Sequence, residues 1–343
     1  MPSNSTKVLL LLTLVGGMLV SVSSNSWLGA WMGLEINLMS FIPLMSNVQN
    51  MYNTEASLSY FIVQVLASAT LLFLVVMEVL MKDLFTFEMN PYTPVIISTP
   101  LLLKSGAAPF HWWFPGVMEG LSWENCMLLM TVQKAAPLML ISYLIEINMF
   151  TLSIILMSTM VGAIGGLNQN SMRKILTYSS INHTGWMLIA LATSENMWLM
   201  YFTIYSALTL AAVSAIKLSG VSFINQTMMT NKDNTLTKFM MFSSLLSLGG
   251  LPPFLGFLPK WIVIQSMIMN SLIPLATIVV LTSLITLYYY LKISYSSFMI
   301  LNAEPKWNLK TNKSKLTTNI SALTLSSISL MGLAVCTIMT NIN

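Results

Sequence analysis

Long apolar stretches follow one another along this chain, with short polar connections between them. A helix of about 20 predominantly apolar residues is long enough to cross the hydrocarbon core of a bilayer. We number the stretches of this kind as spans 1 to 11: 8–23, 27–46, 57–81, 93–113, 122–145, 149–168, 172–192, 196–221, 237–271, 273–297 and 318–340. The sequence therefore predicts an all-α polytopic membrane protein, with about eleven transmembrane helices in a single transmembrane domain, 1–343.

Two of these assignments have an alternative. Span 1 follows Lys7 and precedes Ser21 to Ser24, an arrangement that a secretory signal peptide also shows. Span 9 is too long for one simple helix and contains Gly249-Gly250-Leu251-Pro252-Pro253. It is therefore predicted to be interrupted, and the alternative divides it into two short pieces.

Composition excludes other broad classes of protein. Only 8% of the residues are charged, against roughly 25% in an ordinary soluble domain, so the chain cannot make a solvated surface. The apolar runs are continuous, whereas the strands of a membrane β-barrel alternate. The net charge of +4 is small, which argues against nucleic-acid binding. Cys126 and Cys336 are too few for a disulfide scaffold or a multi-ligand metal site.

The basic residues predict the orientation of the chain in the membrane. With eleven spans, Lys82 alone falls on the side opposite the N-terminus. The N-terminal side receives eleven basic residues, which lie in the connections or near the ends of spans: Lys7, Arg173, Lys174, Lys217, Lys232, Lys238, Lys292, Lys306, Lys310, Lys313 and Lys315. Because Lys and Arg accumulate on the inner side, the N-terminal side is predicted to face the cytoplasm or matrix, and the C-terminus lies on the other side.

Spans 4 and 9 contain similar helix-breaking residues. Gly106, Pro109, Phe110 and Pro115 correspond to Gly250, Pro253, Phe254 and Pro259 at one constant offset of 144 residues. Because spans 4 and 9 are an odd number of spans apart, they cross the membrane in opposite directions. This pattern predicts an inverted repeat with two broken helices, which typically mark an ion or substrate path. Its halves are 1–145 and 149–297, followed by a C-terminal helix, 318–340. The alternative is two unrelated kinks.

Glu35, Lys104, Lys134 and Lys260 are charged residues that lie deep inside spans, away from the span ends. A charge at the bilayer centre costs about 2.5–3.5 kcal/mol, so each must pair, be hydrated or become neutral. Glu35 opposite a lysine would form a switchable ion pair, and the alternative is a static pair that holds two helices together. Since one acid cannot neutralise three lysines, we favour an ion-conducting path.

Two histidines complete the candidate site. His111 follows the first break, and His183 lies in the polar segment Ser179-Ser180-Ile181-Asn182-His183-Thr184 of span 7. An imidazole can pass on a proton near neutral pH. The alternative role for a histidine within a span is an interhelical hydrogen bond.

Six segments together resemble a known family. The family is that of the antiporter-like membrane subunits of mitochondrial NADH:ubiquinone oxidoreductase (respiratory complex I), in particular its chain 2 group. The segments are Trp31 to Asn37, Lys104 to Pro115, Gln133 to Pro137, Gly165 to Gln169, Ser179 to Trp186 and Leu248 to Trp261. The resemblance covers nearly the whole chain and is weakest in the loops 82–93, 223–236 and 302–317.

The resemblance implies a core subunit that translocates protons when NADH reduces ubiquinone. It identifies Glu35 as the functional acid, Lys104 as its paired lysine, Lys134 as the central lysine and Lys260 as the lysine of the terminal channel. His111 and His183 are implied as bridging histidines. Opening and closing of the Glu35–Lys104 pair would shift the proton affinity of Lys134, which exchanges its proton toward Lys260.

The resemblance also implies the surroundings of the chain. No cofactor or metal is expected on it, because FMN and the iron–sulfur clusters belong to other subunits. The expected partners are neighbouring antiporter-like and small membrane subunits and lipids such as cardiolipin, with no nucleic acid. The expected location is the mitochondrial inner membrane, with the N-terminus on the matrix side and the C-terminus on the intermembrane-space side.

Two other functions use the same charges. The chain could be a cation/proton antiporter that stands alone or belongs to a multi-subunit antiporter. It could also be a structural membrane subunit, a former antiporter retained for assembly. The buried charges by themselves do not separate these alternatives from proton pumping.

Overall fold

A computed structural model of the chain describes residues 4–46, 50–84, 93–229 and 235–298, together with Thr324 and Ser327. Within these ranges the regular structure is helical, and an isolated antiparallel bridge joins Ser171 to Phe223. Span 11, apart from Thr324 and Ser327, lies outside the described residues, as do Cys336 and the basic loop from Lys306 to Lys315.

The helices are α1 (Asn4–Ser23), α2 (Trp27–Met45), α3 (Met51–Leu84), α4 (Thr93–Ser105), α5 (Trp113–Gly120), α6 (Trp123–Met130), α7 (Val132–Ser142), α8 (Met149–Gly166), α9 (Met172–Thr193), α10 (Glu195–Ser219), α11 (Ile224–Met229), α12 (Thr235–Gly249), α13 (Phe257–Met269) and α14 (Ile273–Phe298).

These helices confirm the predicted fold class, an all-helical membrane protein. Within the described ranges, seven helical segments are long and apolar enough to cross a bilayer: Ser5–Ser23, Trp27–Met45, Met51–Leu80, Trp123–Ser142, Met149–Gly166, Glu195–Ser219 and Ile273–Tyr295. Helix α9 is more polar than these, because it carries the segment around His183. Almost all of its residues from Ile175 to Leu191 are buried, so its polar side chains contact protein.

The helices fall into two compact units, Met1–Ser158 (unit 1) and Thr159–Asn343 (unit 2). In unit 1, α1 packs along α2, α3 contacts α4 and α5, and α7 contacts α4. In unit 2, α10 contacts α9, α12 and α13, and α14 packs against α12 and α13. The predicted repeat halves, 1–145 and 149–297, remain a prediction.

The two breaks have the same length, and their boundaries lie at equivalent positions in the sequence. Helix α4 ends at Ser105 and α5 begins at Trp113, while α12 ends at Gly249 and α13 begins at Phe257. Both boundaries repeat at the offset of 144 residues. Gly106 has a φ of 72° and Gly250 a φ of 81°, a left-handed conformation that glycine adopts without a steric penalty. The prediction of two broken helices is confirmed.

The structure contains a third interruption, which the sequence did not predict. Span 5 divides at Thr131 into α6 and α7. The Thr131 hydroxyl donates to the carbonyl oxygen of Met127 at 2.8 Å, a bond that bends helices. Pro137 lies inside α7 and cannot donate to the carbonyl of Gln133. The interruption places Lys134 in the first turn of α7.

Close contact between α1 and α2 depends on glycine. A methyl group at Gly17 would lie 2.8 Å from the amide nitrogen of Asn37 and 3.0 Å from the carbonyl oxygen of Gly33. At the neighbouring Gly16, a methyl group would have nothing within 4 Å among the described residues. Gly17 therefore sets the distance between the two helices, and Gly16 does not.

We expect Gly17→Ala to destabilise unit 1 by about 1–3 kcal/mol, because the added methyl must push two backbones apart. Gly16→Ala is the matched control and should be neutral or stabilising by up to about 1 kcal/mol, as alanine favours a helix interior. The measurement is the thermal stability of the purified protein in its membrane assembly. Equal stability of the two variants would contradict the packing described here.

Candidate functional site

Lys104 and Lys134 line one cavity inside unit 1. The other polar residues in its wall are Asn37, Tyr60, Gln64, Ser105 and Gln133, and Trp113 and Phe114 contribute aromatic rings. The cavity leaves about 20 Å³ to the centres of water molecules, which is enough for about one water. The structure therefore brings two of the sequence-predicted lysines to the same small polar space.

Lys104 lies in the last turn of α4, directly before the first break. A cation at a helix C-terminus interacts favourably with the free carbonyls there. The Lys104 side chain is only 7% exposed, and its backbone carbonyl accepts a hydrogen bond from Gln64 Nε2 at 3.5 Å. The residue that directly precedes the end of α4 at the first break therefore lines the cavity.

Glu35 interacts with Lys104 through charge rather than through a hydrogen bond. The carboxylate is close enough to act electrostatically on the ammonium group. Its Oε2 atom is buried and, among the described residues, accepts no hydrogen bond. Because no hydrogen bond has to be broken at Oε2, the pair can separate at a lower cost than a directly bonded one.

Lys134 is held by an aromatic face. Its side chain is 2% exposed, and its Nζ atom lies 4.7 Å from the centroid of the Phe114 ring. At this distance an ammonium group is attracted by the negative face of the ring. Phe114 is the second residue of α5, so the first break also positions the partner of Lys134.

Neutral polar side chains extend the site across three helices. Gln133 Nε2 donates to Asn37 Oδ1 at 3.0 Å, and the Tyr60 hydroxyl donates to Gln133 Oε1 at 3.3 Å. These bonds join α2, α3 and α7 next to Lys134. Sequence reasoning missed Asn37, Tyr60 and Gln64, although an uncharged polar residue inside an apolar stretch was a signal that could have identified them.

His111 lies in the first break and is half-buried. Its Nδ1 atom is 3.2 Å from the carbonyl oxygen of Pro109, a local contact within the break. His111 does not line the cavity of Lys104 and Lys134 within the part of the chain that the structure describes.

Lys260 lies in the first turn of α13 in unit 2, directly after the second break. Its ammonium group donates to the carbonyl oxygen of Gly249 at 2.9 Å, one of the carbonyls that the end of α12 leaves without a helical partner. The same Nζ atom lies 5.8 Å from the centroid of the Trp186 ring. Lys260 therefore bridges the second break and closes the end of α12.

His183 is buried between α9 and α10. Its Nδ1 atom is 2.9 Å from the hydroxyl oxygen of Tyr201, and the centroid of its ring is 5.1 Å from that of Tyr205. These tyrosines were not predicted as site residues, because tyrosines in spans are common. The Tyr201 hydroxyl beside His183 can both donate and accept a hydrogen bond.

The two units thus each contain groups that can hold or release a proton: the half-buried Glu35 with the buried Lys104 and Lys134 in unit 1, and the buried Lys260 and His183 in unit 2. Among the described residues, no group of three or more His, Cys, Asp or Glu side chains is arranged to hold a metal ion. Chemically, the arrangement is suited to moving protons through an apolar environment.

Comparisons with known proteins show the family to which the chain belongs. A family model described as "NADH:quinone oxidoreductase/Mrp antiporter, TM" matches residues 24–286. NADH-ubiquinone oxidoreductase chain 2 of Anopheles gambiae is 50% identical over 324 residues, which are 94% of each chain. The protein of the same name from Locusta migratoria is 45% identical over 337 residues, covering 98% of this chain and 97% of the relative.

Two solved structures have the same fold. A chain of respiratory complex I from Thermus thermophilus superposes with a TM-score of 0.84 and 22% identity, covering 97% of this chain and 79% of that chain. A chain of the Mrp complex from Dietzia sp. DQ12-45-1b has a TM-score of 0.78 and 17% identity, covering 96% of this chain and 75% of that chain. At these identities, the likeness concerns the fold alone.

Proposed function

Because the chain belongs to the NADH:quinone oxidoreductase/Mrp antiporter family, and within it to the NADH-ubiquinone oxidoreductase chain 2 group, we propose how its buried charges serve that enzyme. The chain is a core membrane subunit of NADH:ubiquinone oxidoreductase. It couples electron transfer from NADH to ubiquinone, which takes place on other subunits, to proton translocation across the membrane. FMN and iron–sulfur clusters are accordingly assigned to those other subunits.

The observation that carries the proposal is the shared cavity of Lys104 and Lys134. Two amines in one small polar space cannot both remain protonated without repulsion, since two unit charges interact strongly in a low-dielectric interior. The position of the Glu35 carboxylate determines which of the two lysines keeps its proton. When Glu35 approaches Lys104, it stabilises the charged form of that lysine, and Lys134 is then the group that more readily releases its proton.

The proposed cycle in unit 1 alternates between two arrangements of the Glu35–Lys104 pair. Quinone reduction elsewhere in the enzyme disturbs the electrostatic field along the membrane subunits and opens the pair. With Glu35 withdrawn, the proton affinities of Lys104 and Lys134 change relative to each other, and one proton moves. Closing of the pair restores the first arrangement.

Lys260 and His183 are assigned the corresponding work in unit 2. Lys260 holds its proton against the Gly249 carbonyl, and His183 exchanges protons with neighbouring hydroxyls. His111 is kept as a candidate relay at the first break.

The proposed surroundings follow from the family. Neighbouring antiporter-like and small membrane subunits, with lipids such as cardiolipin, are the proposed partners. The proposed location is the mitochondrial inner membrane, with the N-terminus in the matrix and the C-terminus in the intermembrane space, in agreement with the distribution of basic residues.

A cation/proton antiporter is the second candidate, favoured by the similarity of its fold to that of the Mrp chain. The identity of 45–50% to NADH-ubiquinone oxidoreductase chain 2 over nearly the whole chain supports the first function instead.

Gentle detergent extraction followed by native separation distinguishes the two functions. We expect the chain to migrate with an assembly that oxidises NADH and, in vesicles, acidifies one compartment. Recovery of the chain as a stable free protein that exchanges sodium for protons would contradict the assignment and support the antiporter.

A further inference from the structure

A second cavity lies in unit 2, away from Lys260 and His183. It is bounded by the end of α8, the loop before α9, helix α11 and the end of α14, and it leaves about 220 Å³ to the centres of water molecules. Several waters fit in such a volume, since one needs only about 10–15 Å³ by this measure. The polar residues in its wall are Asn168, Gln169, Asn170, Asn225, Tyr289 and Lys292. We call this cavity the vestibule.

The vestibule opens to the surface of unit 2. Asn168, Asn225 and Lys292 in its wall are exposed, and α8 and α14 reach it at the ends of segments long enough to cross the membrane. Backbone pairing of Met172 with Ser222 and of Ile224 with Asn170 fixes the loops around it. The vestibule is therefore a built polar space at a membrane boundary.

The inner wall of the vestibule is formed by Tyr289. Tyr289 and its neighbour Tyr290 are 3% and 1% exposed, and their ring centroids are 4.6 Å apart. Their hydroxyls lie near each other and near Ser179. Neither hydroxyl, however, has hydrogen-bond geometry to any described residue.

The row of hydroxyls continues from Tyr290 toward His183. The Tyr205 hydroxyl lies beside Ser180, the residue that follows Ser179 on α9. The Tyr205 hydroxyl is also buried and, within the described part of the chain, lacks hydrogen-bond geometry to a partner. The Tyr205 ring is in turn next to His183. Small rotations or single bridging waters connect such groups.

We propose that the vestibule and the row Tyr289, Tyr290 and Tyr205 form the aqueous access route through which His183 exchanges protons with one side of the membrane. The proposal rests on the proposed function, in which His183 is a relay. In each step a hydroxyl gives its proton to the next acceptor and receives one from the group behind it. One proton moves, each tyrosine ends neutral, and only O–H and N–H bonds form and break.

Other tyrosines of α14 supply a contrast. Tyr288 and Tyr295 are each 59% exposed, as expected of tyrosines that face lipid or its headgroups. The buried pair therefore differs from its neighbours in environment while sharing their helix and chemistry. Tyr288 is the matched control for Tyr289.

The test uses the whole enzyme of a genetically tractable relative in sealed vesicles, with protons translocated per NADH oxidised as the readout. We expect the double variant Tyr289→Phe/Tyr290→Phe to lower this ratio by the same factor as Lys260→Ala. Tyr288→Phe should retain the parental ratio. The amount of assembled enzyme on a native gel is measured for every variant.

A second variant tests the vestibule without altering the tyrosines, in case the double variant fails to assemble. Asn225→Trp should fill the vestibule and lower the ratio, whereas Phe223→Trp, at an exposed site outside the vestibule wall, should not. Parental ratios in Asn225→Trp and in the double tyrosine variant, with loss in Lys260→Ala, would overturn the access route and leave the proposed function standing. A parental ratio in Lys260→Ala as well would contradict the assignment of Lys260 in the proposed function.

Discussion

Replacing Lys104 by alanine should abolish most proton pumping while leaving residual NADH oxidation. The change leaves Glu35 without its charged neighbour, and breaking a buried charge pair by removing one partner costs about 3–5 kcal/mol. Because Glu35 is only half-buried, we expect the lower end of this range or less. Because the proposed cycle depends on opening and closing this pair, pumping at Lys104→Ala should fall by about tenfold or more, which corresponds to about 1.4 kcal/mol or more.

The measurement compares NADH oxidation with acidification in the same vesicles. Lys7→Ala removes an exposed lysine from α1 and should change neither rate. Glu35→Ala should resemble Lys104→Ala, and the double variant should lose less than the sum of both, because the two residues act as a pair. Unchanged oxidation and unchanged pumping in both single variants would exclude the proposed role of the pair.

Replacing Gly256 by alanine should prevent stable formation of the second break. A methyl group there would overlap the carbonyl oxygen of Ser247 and lie 2.9 Å from its carbonyl carbon. Both are backbone atoms at the end of α12, so the methyl cannot be accommodated by rotating a side chain. Overpacking of this kind typically costs 1–3 kcal/mol, and we expect about 3 kcal/mol or more here.

The expected result is a strong decrease in assembled enzyme, measured on native gels and by the thermal stability of what remains. Gly116→Ala is the control. It lies shortly after the first break, in α5, and an added methyl would contact nothing within 4 Å among the residues described. Normal assembly of Gly256→Ala would show that α12 and α13 are less tightly joined than the structure indicates.

The two breaks could be predicted because their cause is local. Clustered glycine and proline residues disfavour a continuous helix, so Gly106 and Gly250, each with prolines close behind it, identified both sites from the sequence. The interruption at Thr131 could not be found in this way. Threonine and a single proline six residues later are common inside membrane helices, and their effect depends on how the surrounding helices pack.

The candidate site was predictable to the extent that it is charged. Glu35, Lys104, Lys134 and Lys260 stand out in an apolar chain because burying each is costly. Their neutral partners stand out less, since residues such as Gln133 and Tyr205 resemble many other polar residues in spans. Which carbonyl receives the Lys260 ammonium depends on the conformation of the break, which residue types alone do not specify.

The contact between Lys260 and Gly249 makes the second break a reporter of proton occupancy. A charged ammonium donates to the carbonyl, whereas a neutral amine has a lone pair in place of one of its donors. Release of the proton therefore weakens the hydrogen bond that holds the end of α12. By linkage, a conformational change that breaks this hydrogen bond also lowers the affinity of Lys260 for the proton, and the two free-energy changes are equal. Proton binding at Lys260 and the position of this helix end are thus reciprocally linked quantities.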